Sequence, residues 1–249
     1  MACNLERTNQ IAIITFGSIA HNALSSALLD QLIHHITGLN DDPLLNAIVI
    51  RSEGDRTFCA GADLSELMNI QDVKSGVAFF YKFAQLILAI RKSPHLVLCR
   101  VQGKAIGGAV GVIAASDFVI ASEYAQVRLS ELINGIGPFV VGPAIERKMG
   151  IASFQEMALS PALWQDASYS HHHGLFNMIT ADSQALDLAV ENKINEWSAY
   201  STQAMREIKR MLWSTSPAWD DLLKLRADIS GRLIVSEEAR AALSKLRKE

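Results

Sequence analysis

Two short runs of apolar, largely β-branched residues, QIAIITF (Gln10 to Phe16) and NAIVIRS (Asn46 to Ser52), flank a stretch with a different period. In that stretch, SSALLDQLIHHITGLNDD, residues Leu28, Leu29, Leu32, Ile33 and Ile36 recur three and four apart, the spacing of one helix face. The pattern therefore predicts strand, helix, strand. Helical spacing returns in DVKSGVAFFYKFAQLILAIRKSP and stops at Pro94, which cannot continue a helix. HLVLCRVQG follows as a strand. In GKAIGGAVGVIAASD a strand end turns through Gly107 and Gly108 into a helix, Ala109 to Ser116, that is apolar on every side and so must be buried. FVIAS and AQVRLS read as further strands. After Asp182 the pattern changes: DSQALDLAVENKINEWSAYS, TQAMREIKRMLW and SPAWDDLLKLRADISGRLIVSEEARAALSKLRKE are all helical in period. Charges alternate there with Leu, Ile, Met and Trp, so each helix has an apolar face that needs a partner, in this chain or in another copy. The pattern divides the chain into an α/β core, residues 1–181, and a helical region, residues 182–249.

Composition narrows the class. With 249 residues, 49% of them apolar, the chain can bury a sizeable core. A formal charge of −3 without a basic run argues against nucleic acid as a partner. Cys3, Cys59 and Cys99 form no CxxC and no ligand-like spacing, which points to reduced thiols, a cytoplasm-like compartment and no metal site. The start, MACNLERTNQ, is polar and no apolar run approaches about 18 residues, so neither a leader nor a membrane partner is expected.

Two turns of small residues stand out, CAGAD (Cys59 to Asp63) and IGGAVG (Ile106 to Gly111), each after a strand and before a helix. Small side chains leave backbone amides bare, and amides at a helix N-terminus lack partners and carry the positive end of its dipole. Two such turns aimed at one point make an oxyanion hole, the device that stabilises a carbonyl oxygen as it gains charge. Close packing of backbone is the competing explanation for either turn alone. The spacing does not fit a nucleotide loop: GGAVG is not GxGxxG, and no GxxxxGK[ST] occurs.

NALS, FCAGADL, VQGKAIGGAVGVIAASDFVIAS and LSELINGIGP, in that order and followed by a helical tail, resemble the enoyl-CoA hydratase/isomerase (crotonase) superfamily, including its methylglutaconyl-CoA hydratase-type members. The resemblance implies a spiral of β-β-α units with a C-terminal helical region that packs a homotrimer, often a dimer of trimers. It implies that the amides of Ala60 and Gly108 grip the carbonyl of an acyl thioester. Ala60, Gly61, Ala62 and Asp63 would line the path of its coenzyme A or carrier handle, with Asn22, Ala23 and Leu24 nearby. Coenzyme A enters only as part of the substrate, and no separate cofactor is implied.

The resemblance also places the acid/base groups. Glu131 matches one of the two family glutamates. The other position, three residues after Gly108, is Gly111, and a glycine moves no proton. Apolar neighbours Leu132, Ile133, Ile136, Pro138 and Phe139 would desolvate Glu131 and raise its pKa. Glu66 reads as a solvated helix face and Lys82 as a solvated cation. His171, His172 and His173 are consecutive and cannot easily share one ion. Reversible hydration of an enoyl thioester, with a branched acid such as 3-methylglutaconyl as one candidate acyl group, is the leading expectation. A double-bond isomerase needing one base, or an acyl-CoA-binding scaffold without turnover, are the alternatives.

Overall fold

The computed structural model describes residues 2–8, 10–215 and 218–246. Strand β1 (Ala2–Thr8) pairs antiparallel with β2 (Ile11–Gly17), and helix α1 (Ser26–Gly38) follows, capped by Ser25. A pattern then occurs three times: a longer strand, a short strand, then helix. The first pass is β3 (Ala47–Ser52), β4 (Thr57–Cys59), α2 (Leu64–Asn69) and α3 (Val73–Lys92). The second is β5 (Leu96–Val101), β6 (Lys104–Ile106) and α4 (Gly108–Ala115). The third is β7 (Phe118–Ser122), β8 (Val127–Arg128) and α5 (Gly142–Leu159). The longer strands join one sheet in the order β1-β2-β3-β5-β7-β9, where β9 is Met178–Thr180, reached through α6 (Ala167–His172). The short strands form a second sheet, β4-β6-β8. Every pairing between these strands after β1–β2 is parallel, so each pass adds one strand to each sheet. This is the expected spiral of β-β-α units.

The N-terminal strand was not visible in the hydropathy pattern because most of β1 is exposed at the sheet edge. Helix α4 behaves as its composition requires: Ala109 to Ala115 are all buried. Helix α3 is long and apolar enough to suit a bilayer by length and composition alone. Its apolar residues, among them Phe79, Phe83, Leu86, Ile87 and Ile90, are instead buried where it packs on α1, α4 and α9 (Trp219–Leu233).

The change of pattern near residue 181 falls between Thr180, which ends β9, and Asp182, whose side chain caps α7 (Ser183–Ser198) by accepting from the Ala185 N–H at 2.7 Å. Apolar faces beyond it find partners within the chain. Leu186, Val190 and Trp197 of α7 and Met205 of α8 (Thr202–Leu212) cover the outer face of the larger sheet at Ile11, Val49, Leu98 and Ile120. Trp213 and Trp219 join the main core, edge to face at 5.4 Å. Met211 and Leu212 stay exposed. Helix α10 (Glu237–Leu246) follows α9, and the predicted helical tail beyond residue 246 lies outside the described residues. Helices α3 and α9 meet backbone to backbone: a Cβ on Gly76 would lie 2.8 Å from the Gly231 carbonyl oxygen, and one on Gly231 would lie 2.4 Å from the Val77 nitrogen.

Candidate active site

Strand β4 runs directly into the CAGAD turn. Gly61 has φ +88°, and a Cβ there would sit 2.7 Å from the Ile106 carbonyl oxygen, so only glycine fits. Leu24 pairs with the turn on one side: its N–H donates to Gly61 O at 2.7 Å, and its carbonyl accepts from the Asp63 N–H at 3.1 Å. Ala62, between those two bonds, therefore points its own N–H away from Leu24. That amide has no protein acceptor among the described residues. The Ala60 amide does: it donates to the His21 carbonyl at 3.1 Å. The expectation that Ala60 supplies an oxyanion donor is thus corrected, because the available amide is two residues further on.

The second turn follows β6. Gly107, with φ +54°, is the N-cap of α4, and Gly108 begins the helix with an amide that has no intrahelical partner and no other protein acceptor among the described residues. The Phe83 ring lies against its bare backbone, 2.3 Å from where a Cβ would stand.

Glu131 closes this corner. Its carbonyl accepts from the amides of Asn134 and Ile136 at 3.0 and 3.1 Å, which folds the loop after β8 back toward α4. The carboxylate packs against Gly107, where a Cβ would come within 2.8 Å of Oε1. Oε2 is closed off from water and has no hydrogen-bond partner. Burial pushes the pKa from 4.5 up to about 7, with the residue's own amide pulling weakly the other way. A cavity of about 400 Å³ joins these groups: Ala60, Gly61, Ala62, Gly107, Gly108 and Glu131 line it beside Leu64, Leu67, Phe80, Phe83, Ile136 and Val141.

The remaining sequence-based candidates separate into wall, brace and bystander. At Gly111 a Cβ would lie 2.4 Å from Val141 Cγ1, so the place of a second glutamate is filled by a valine that lines the cavity. Asn22, Ala23 and Leu24 are buried and do not line it. Asn22 holds the loop before β4, donating to the carbonyls of Glu53 at 2.8 Å and Thr57 at 3.0 Å. Asp63 caps α2, accepting from the amides of Ser65 and Glu66, and is not part of the cavity wall. Glu66 is not simply solvated: its carboxylate accepts from the Ser26 N–H at 2.9 Å and Oγ at 2.6 Å, tying α2 to α1. Lys82 pairs with Asp30. The three histidines face three directions: His171 Nδ1 is 2.9 Å from Phe176 O, His172 Nδ1 2.8 Å from Ser168 O, and His173 Nδ1 2.8 Å from Ser153 Oγ.

Val141 and Arg128 were not singled out by the sequence, and Ala62 was placed on the substrate path but not as the amide donor. Alternation in AQVRLS could have found Arg128, since it and Ser130 fall opposite the buried Val127 and Leu129, and both line the cavity. No local pattern announces that Val141 returns to Gly111.

Known proteins agree with this architecture. The enoyl-CoA hydratase/isomerase family model matches residues 6–244, and the chain belongs to that family. A Bacillus subtilis (strain 168) protein named as a probable enoyl-CoA hydratase is 27% identical over 237 residues, covering 94% of this chain and 90% of its own. The mitochondrial methylglutaconyl-CoA hydratase of Mus musculus is 29% identical over 213 residues, covering 83% and 67%. The crystal structure of enoyl-CoA hydratase from Bacillus halodurans superposes with a TM-score of 0.89 at 21% identity, over 98% of this chain and 99% of that one, a likeness of fold.

Proposed function

We propose that the protein adds water reversibly across the double bond of an enoyl thioester, with Glu131, the one carboxylate among the described residues that line the cavity, as its acid/base group. The observation that carries this reading is the unpaired, desolvated Oε2 of Glu131 beside two amides, of Ala62 and Gly108, that have no protein acceptor. The thioester carbonyl oxygen accepts from both amides, which stabilise it as the enolate forms. Glu131, ionised, takes a proton from water as the oxygen adds to the β carbon, and returns that proton to the α carbon. The reverse sequence removes the α proton and expels water. With a pKa near 7, either form of the carboxyl is accessible at neutral pH. The relatives' names support the class, and the mouse relative supports including a branched, acid-bearing acyl group among the substrates tested.

A second reading follows from Val141. Because that side chain occupies the ground above Gly111, the site has one proton carrier, which is sufficient to shift a double bond by removing and returning a proton. Mass spectrometry of a panel of enoyl-CoA thioesters, 3-methylglutaconyl-CoA included, separates the two. Hydration adds the mass of one water; isomerisation in deuterium oxide adds only deuterium. An unchanged panel would overturn both and leave a binding protein.

A further inference from the structure

Resting on this thioester reading, we propose that Arg128 is the anion anchor of the site, holding a negatively charged oxygen of the substrate in its guanidinium fork. Arg128 of β8 is the register partner of Ile106 of β6, so the two side chains leave the small sheet on the same face. That face carries the cavity, and both residues line it. The guanidinium lies 4.5 Å from the centroid of the Trp164 ring, and Lys104 Nζ lies 5.0 Å from the same centroid. The indole holds the fork in place but neutralises neither cation.

Arg128 Nε is sealed from water without a hydrogen-bond partner, and among the described residues no carboxylate reaches ion-pair distance of the guanidinium. Arg128 is half-buried with its Nε unmatched, and the planar fork matches the paired oxygens of a carboxylate or phosphate. A thioester substrate carries such oxygens at two places, the phosphates of its coenzyme A handle and a carboxylate at the far end of the acyl chain.

Four substrates distinguish these sources: an enoyl-CoA with a plain acyl chain, one with a terminal carboxylate, and the pantetheine thioester of each, which lacks the phosphates. In Arg128→Met the KM is expected to rise about tenfold or more with kcat little changed, and Arg128→Lys should recover part of the loss. A rise with both coenzyme A substrates that vanishes with pantetheine assigns the phosphates. A rise confined to the acid-bearing chains assigns the acyl carboxylate. Unchanged KM in all four arms, with a lowered melting temperature, would make Arg128 a cover for Trp164 and overturn the proposal. If Arg128→Met does not fold, Arg128→Lys keeps the charge and loses the fork; no rise in any arm overturns the proposal equally. If wild-type protein turns over none of the four, the thioester reading fails. Calorimetry with free coenzyme A and with glutaconate then decides the anchor alone: equal binding by wild type and variant removes it, and a tenfold loss retains it.

Discussion

The two ends of α4 bury carboxylates under opposite terms. At its C-terminal end Asp117 accepts from the Val97 N–H and Trp213 Nε1, each at 2.8 Å, and from Lys209 Nζ, which also donates to Ile90 O at 2.9 Å. Lys148 donates to the Ser116 carbonyl at 2.6 Å beside them. Burial holds both lysines below the ordinary ammonium range, Lys148 at about 8, with Asp117 pulling the other way. At the N-terminal end, among the described residues, Glu131 Oε2 has no hydrogen-bond partner and the amides of Ala62 and Gly108 have no protein acceptor. One end is saturated and fixes the packing of α8 on the core. The other leaves its polar groups unmatched, at a cost in stability, and those are the groups that can meet a substrate.

The sharpest way to break this contrast is Glu131→Gln. Glutamine keeps the shape but accepts no proton, so kcat should fall by about 10²–10⁴-fold while calorimetric binding of a non-reactive acyl-CoA stays near the wild-type value. Turnover at the parental rate would remove Glu131 from the chemistry. Lys209→Met tests the saturated end. Leaving Asp117 buried without its ammonium should cost about 3–5 kcal/mol in denaturant unfolding, with kcat per folded molecule unchanged. A loss of kcat in the folded fraction would mean that the two ends are not independent.

A subtler effect is the pH dependence of stability. The folded pKa of Glu131 is raised from 4.5 to about 7, so the native state holds a proton that the unfolded chain has released across that window. Its contribution is intact below pH 4.5 and is lost as pH rises through 7. Glu131→Gln should therefore match wild type near pH 4.5 and exceed it above pH 7, by on the order of 3 kcal/mol. Equal stabilities in urea at pH 8 would show that the carboxyl is solvated. Smallest is Gly111→Ala, whose methyl meets Val141: about 1–3 kcal/mol of destabilisation, relieved by Val141→Ala. No relief in the double variant would place the strain elsewhere.

What the sequence made legible follows from where each signal resides. Strands β2, β3, β5 and β7 and helices α1, α3 and α4 were readable because burial on one or both faces writes itself into local spacing. Strand β1 was not, since an exposed edge places little demand on side chains. Glu131 and Gly108 were singled out through motif order, and both line the cavity. As amide donor Ala60 was chosen over Ala62 because the choice depends on a long-range partner: His21 takes one amide, while pairing with Leu24 turns the other outward. The valine over Gly111 is thirty positions away and leaves no trace in either segment.

The glycine contact between α3 and α9 bears on how the cavity is reached. Phe80 and Phe83 of α3 and Ser230 of α9 form part of its wall. With Gly76 and Gly231 in backbone contact, neither helix can slide along the other without first separating. Phe80, Phe83 and Ser230 are therefore held in one relation to each other, and the clearance of that wall is set by the glycine contact rather than by side chains that yield.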